Sequence, residues 1–182
     1  MLIIPSQPVA QELPMFYKLG ETEAEVQIET VEENKNAALS LVKQAHHSID
    51  IFTQDLDAAI YNNKEFEEAL FKLSKKHPST RIRILVQDSG KAIRNGHRLI
   101  YMAQTLTSSI AIHNPSRQHS DEKCSYLVVD KLGLLYRVNA RDRNYRANVN
   151  FMSPRRAGKL RDFFDEVWEH STPDIQTRRI YM

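Results

Sequence analysis

Apolar residues in this chain recur in two rhythms, and their alternation predicts an α/β protein with a mixed β-sheet flanked by helices. Val26, Ile28 and, less regularly, Val31 mark Glu25–Val31 as a strand. Ala38, Leu41, Val42 and Ala45 then take the spacing of one helix face, with Asn34 or Asn36 as the expected cap. His46 and His47 close that helix, where its C-terminus favours positive charge. Ser48–Thr53 reads as a second strand, carrying Ile49, Ile51 and Phe52. Asn62 and Glu65 suggest a capping box for a helix whose apolar face is Phe66, Ala69, Leu70 and Leu73.

The same alternation continues downstream. Arg81–Val86 is a strand with Ile82, Ile84 and Val86 on one face, and Leu99, Met102, Ala103 and Leu106 mark a third helix. Short strands are predicted at Ser109–His113, Cys124–Asp130, Leu134–Val138 and Ala147–Phe151. The last helix has the clearest start, Ser153 as N-cap and Pro154 at the first helical position. Ala157, Leu160, Phe164, Val167 and Trp168 form its apolar face, and Pro173 is expected to stop it. Residues 1–20, with Pro5, Pro8 and Pro14, show no period. The chain is therefore divided into an N-terminal arm and first strand over 1–33 and one domain over 34–182.

Composition narrows the class. A chain of 182 residues, 41% hydrophobic and 26% charged, is long enough to bury a sizeable core. No apolar run approaches the roughly 18 residues of a membrane span, and the first residues lack the basic start of a leader, so the cytoplasm is the expected compartment. The single cysteine, Cys124, excludes an internal disulfide and reads as a structural thiol inside a strand. Net charge is only +2, yet it is unevenly spread. Arg137, Arg141, Arg143 and Arg146 fall close together, interleaved with Tyr136 and Tyr145. Such a cluster suits phosphate contacts or a solvated loop equally well.

Ligands in α/β sheets gather where strand C-termini open into a crevice. That rule selects Gln54, Asp55 and Asp57, and the segment Asp88-Ser89-Gly90-Lys91. Lys91, Arg94, His97 and Arg98 add positive charge nearby. Gly90-Lys91 lacks the spaced first glycine of a P-loop, and the seven histidines show no metal-ligand spacing. No cofactor and no metal are expected.

The run Lys123-Cys-Ser125-Tyr-Leu-Val-Val-Asp130, together with Ala37–Phe52, Phe66–Leu73, Arg81–Asp88 and the closing Leu160–Trp168, resembles one catalytic half of the phospholipase D superfamily, as found in bacterial proteins of uncharacterised function. The family motif is His-x-Lys, four residues, then Asp. Here Asp130 is in place, but Lys123 stands at the histidine and Ser125 at the lysine. In active members a histidine attacks phosphorus, the lysine holds the phosphate charge, and a second motif copy supplies the acid, all without metal. A protonated lysine cannot serve as that nucleophile, and serine cannot supply the charge. The resemblance therefore implies a degenerate motif and a non-catalytic binding or accessory domain, with a phosphate-bearing ligand held by Lys91, Arg94, His97, Lys123 and Arg137. Two alternatives stay open: a surviving metal-independent phosphodiesterase or phosphatidyl-transfer activity, with His119 displaced into the nucleophile's role, and a nucleic-acid-binding module. It also implies a homodimer joined near the Asp130 strand and, more distantly, an acetyltransferase-type partner.

Overall fold

The computed structural model describes residues 17–177, so Pro5, Pro8 and Pro14 of the expected arm lie outside the described residues. Along the chain the elements are β1 (Glu25–Ile28), α1 (Val31–Lys43), β2 (Ser48–Thr53), α2 (Ala58–Tyr61), α3 (Lys64–Lys76) and β3 (Arg81–Val86). Then come α4 (Gly90–Arg94), α5 (Arg98–Thr105), β4 (Ile110–Asn114), β5 (Ser125–Val129) and β6 (Gly133–Arg137). β7 (Ala147–Asn150), α6 (Pro154–Glu169) and β8 (Thr172–Pro173) follow. All eight strands join one sheet in the order β1-β7-β6-β5-β2-β3-β4-β8. β2, β3 and β4 are parallel, as their helical crossovers require, and every other pairing is antiparallel.

β2 lies where the parallel and antiparallel parts meet, and its pleat sorts the core. Ile49 and Ile51 face α1, α3 and α5, where they pack with Leu41, Phe66, Leu70 and Leu99. Phe52 faces the other way with Leu85, Tyr126 and Val128, under Ala157, Phe164 and Val167 of α6. α1 to α5 cover one face and α6 covers the other. Burying a side chain such as Phe164 contributes about 1.5–3 kcal/mol, so α6 carries much of its face.

Several expected boundaries move. The cap of α1 is Thr30, whose hydroxyl accepts the Glu33 N–H while the Glu33 carboxylate accepts the Thr30 N–H. Asn34, expected as a cap, is instead buried inside the helix and donates to the carbonyls of Thr30 and Tyr145. The division at 33/34 thus falls within α1, and β1 is the sheet's outer strand beside β7. The cap of α3 is Asn63, accepting the Phe66 N–H at 2.9 Å; Asn62 ends α2. Trp168 is half-buried, stacked on His113 at 4.0 Å. α6 stops at Glu169, and Pro173 sits in the two-residue edge strand β8, a place where its missing N–H is harmless.

Asp130 has a clear task, and it is not at the crevice. The chain turns left-handed there (φ 53°), and the carboxylate accepts the backbone N–H groups of His46, His47 and Ser48 at 2.7, 2.8 and 2.7 Å. Its own N–H donates to the Ser48 carbonyl at 3.0 Å. One side chain therefore satisfies three donors at the entry to β2. β5 is hydrogen-bonded on both sides, by β2 and β6, so it offers no free edge to a second copy. Asp130→Ala should lower stability by about 2–3 kcal/mol, because hydrogen bonds to a charged acceptor are the strong ones. Urea unfolding with the variant within 0.5 kcal/mol of the parent, on the order of a neutral surface change, would remove this role.

Candidate functional site

The parallel register of β2 and β3 ends both strands at one level, Thr53 opposite Val86. The ladder runs one step further, Gln87 N–H donating to the Thr53 carbonyl and Asp88 N–H to that of Gln54. The side-chain amides of Gln54 and Gln87 then both donate to the Glu122 carbonyl, at 3.0 and 2.8 Å, and hold the 115–124 loop against the strand ends. The amide oxygen of Gln54 accepts Arg141 Nε at 3.0 Å, which draws in the loop after β6. Between these segments opens a cleft of about 660 Å³, within the usual size of small-molecule sites.

One wall is built around a buried ion pair. Leu56 turns left-handed (φ 61°) while fully buried, and this aims Asp57 at two targets. One Asp57 oxygen caps α2 by accepting the Ala59 N–H. The other accepts Arg137 Nη1 at 2.9 Å. Arg137 is 3% exposed, and its guanidinium donates also to the Ala140 carbonyl at 2.8 Å and lies over the Tyr145 ring at 4.4 Å. Burial, and then the Asp57 charge, push the Tyr61 phenol well above its ordinary range, so it stays neutral. Tyr145 is itself held left-handed (φ 52°), with its carbonyl tied to Asn34 at 2.7 Å.

His97 also lines the cleft, near the Leu56–Asp57 segment, and is 1% exposed. Its Nδ1 accepts the Leu99 N–H at 3.2 Å, which leaves the proton on Nε2. Burial pushes its pKa down to about 4, against smaller upward pulls from the Leu56 carbonyl and Asp57. It is a neutral N-cap of α5.

A family described as a domain of unknown function (DUF7931) matches residues 30–180. The chain belongs to that family. No curated protein sequence matches the chain. Among solved structures, the DUF7931 domain is similar to a phospholipase D family member, Nuc from Salmonella typhimurium. That match has a TM-score of 0.61 at 17% identity and covers 83% of this chain and 97% of that one. It is also similar to TrmBL2, an archaeal chromatin protein described with a novel mode of DNA binding (TM-score 0.61, 15% identity, 84% of this chain and 54% of that one). Phosphatidylserine synthase from Haemophilus influenzae matches at a TM-score of 0.54 and 10% identity, over 83% of this chain and 39% of that one. The fold is that of phospholipase D family members, an open mixed sheet flanked by helices.

On that fold the residues singled out from the sequence separate. Lys91 lines the cleft and is exposed; Arg94 is exposed beside it. His97 lines the cleft but carries no charge at neutral pH. Lys123 is exposed and does not line it. Ser125 is buried directly opposite Arg137 in the β5–β6 register. Asp130 is at the far end of β5, seven residues and roughly 20 Å of strand from Lys123. His119 presents its ring to Phe163 of α6, edge-on at 5.6 Å, and does not line the cleft. Of the arginine cluster, Arg137 is paired with Asp57 and Arg146 with Asp142, leaving Arg141 and Arg143 exposed on the cleft. Cys124 is half-buried, its thiol pushed up by burial and then by Glu122. Sequence reasoning missed Asn95 as a wall residue, read Asn62 only as a cap, and named Tyr145 only within the arginine cluster. Among the described residues no metal-holding cluster occurs, and no helix is long and apolar enough to cross a membrane.

Two outcomes test this geometry. Arg137→Met leaves Asp57 uncompensated and should cost about 3–5 kcal/mol, part of it recovered when Asp57→Asn is added. Denaturation curves that show no recovery would mean that the two residues act independently. For His97, a folded pKa near 4 against 6.5 unfolded means that the unfolded chain binds more protons between those values. The stabilisation is complete above pH 6.5 and is lost as pH falls toward 4. His97→Asn should flatten the stability–pH curve in that window by about 2–3 kcal/mol relative to the parent. Parallel curves would place the ring in water.

Proposed function

We propose that the domain is a non-catalytic binding or accessory module whose ligand carries a phosphate group and sits in the cleft. The observation that carries this reading is the buried Arg137–Asp57 pair facing Ser125. Where the resemblance places a lysine to hold the transferring phosphate, this chain has a serine backed by a guanidinium already neutralised by a carboxylate. Among the described residues, His97 is the only histidine on the cleft, and its proton sits on the wrong nitrogen for nucleophilic attack from Nε2. Phosphate binding is supported by Lys91 and Arg143, which line the cleft and form no ion pair among the described residues. The expected result is no turnover of bis-nitrophenyl phosphate without metal, together with chemical-shift changes at Lys91 and Arg143 on titration with inorganic phosphate. Turnover that disappears in His119→Ala would overturn the reading in favour of a surviving phosphodiesterase.

A second reading has its own support. Lys91, Arg94, Arg141 and Arg143 are all exposed at one end of the sheet, and TrmBL2, similar in fold, is described as binding DNA. If the module takes nucleic acid there, neutralising about four phosphates gives a slope of log affinity against log salt of roughly −3 to −4. A salt series with single- and double-stranded DNA and RNA measures it. Weak binding with a slope near zero would reject this reading.

A further inference from the structure

The unpaired groups on the cleft are of both signs, and they are not mixed at random. Asp57 and Asp142 have their charges answered by Arg137 and Arg146. Asp55 and Asp88 form no ion pair among the described residues, although both line the cleft and are exposed. One Asp88 oxygen accepts the Gly90 N–H, which leaves the other open. Lys91, Arg141 and Arg143 are the cations without an ion pair among the described residues; Arg141 spends its Nε on the Gln54 amide oxygen, which leaves Lys91 and Arg143 the freer two. The cleft therefore offers carboxylates that can accept hydrogen bonds and, separately, cations that can hold an anion.

The rest of the lining decides what kind of molecule joins the two. Its apolar members are four alanines; of its two aromatic rings, His97 is buried and one face of Tyr145 is covered by Arg137 at 4.4 Å. Four methyl groups and one uncovered ring face give an acyl chain, a nucleobase or a quaternary ammonium little to pack against, since each needs a broad apolar or aromatic face. Asn62 and Asn95 add amides, which both donate and accept. Ring hydroxyls also do both, whereas an ammonium group only donates and would leave amide N–H groups unanswered.

We infer that the cleft takes a phosphorylated polyol, such as a sugar phosphate. Its phosphate lies on Lys91 and Arg143, and its hydroxyls donate to Asp55 and Asp88. This rests on the proposal that the cleft binds phosphate. The test is calorimetric titration of the full chain with inorganic phosphate, ribose 5-phosphate, ribose and phosphoethanolamine at fixed ionic strength. Ribose 5-phosphate should bind about tenfold or more tightly than inorganic phosphate, since each hydroxyl–carboxylate bond involves a charged acceptor. Asp55→Asn with Asp88→Asn should shrink that advantage to about twofold, without weakening inorganic phosphate, because removing negative charge does not hinder an anion. Lys91→Ala with Arg143→Ala should weaken both ligands alike. Equal affinity for the two ligands would overturn the polyol inference while the phosphate reading stands. Phosphoethanolamine binding best would overturn it in favour of an ammonium. No binding by any probe would remove the phosphate reading and this inference together.

Discussion

Asp50 stands in the middle of the sheet, 1% exposed, and β2 can keep a carboxylate there only by bringing cations to it. Arg83 on the neighbouring strand donates from Nε at 2.7 Å, and Arg161 of α6 approaches to 3.2 Å. Arg83 also reaches Asp165 at 2.6 Å, while its guanidinium lies over the Phe164 ring at 4.8 Å. Even with this company, burial wins and holds the Asp50 carboxyl above its ordinary range. Such a network adds little net stability over an apolar core of the same shape, but any slip of α6 would strand a buried charge. It fixes where α6 sits and, through Arg83, how β3 lies beside β2. That register is what brings Gln54 and Gln87 to one level, where both amides reach the Glu122 carbonyl. The cleft is thus set by a charge arrangement midway along the same strands.

β5 shows the same division of labour within one strand. Its C-terminal end is secured by Asp130, a carboxylate spent entirely on backbone donors. Its N-terminal end is joined to the cleft wall through Ser125 and its register partner Arg137. A motif that reads as one unit along the sequence is therefore two structures at opposite ends of a strand. Asp130 has structural work enough of its own, whatever stands at positions 123 and 125.

The apolar faces of α1, α3 and α6 and the five longer strands were legible because burial enforces the period of each element. What escaped was decided elsewhere. α2 and α4 are too short, at four and five residues, to show any period. Asn34 and Asn62 read as caps from their type, but Thr30 and Asn63 hold those places because the preceding backbone is extended there. The crevice was legible from strand ends, and Asp57 was on its list. Its pairing with Arg137 was not, since the two are eighty residues apart and only the β2–β5–β6 order brings them together. Composition showed four clustered arginines; the fold leaves Arg141 and Arg143 facing the cleft with their charges uncompensated.

That pairing is the physical reason binding and turnover separate under the proposed reading. Holding a phosphate needs only cations that an anion can reach, and Lys91 and Arg143 meet that condition at the cleft surface. Transferring it needs a nucleophile within about 3–3.5 Å and positive charge that responds to the charge developing in the transition state. Arg137 has the right charge near the right strand, yet its field is already cancelled by Asp57 at 2.9 Å, and Nη2 is turned to the Ala140 carbonyl. Charge consumed in the ground state stabilises nothing further as the reaction proceeds. A scaffold can keep its cleft and its anion affinity in this way while giving up the differential stabilisation that would make it an enzyme.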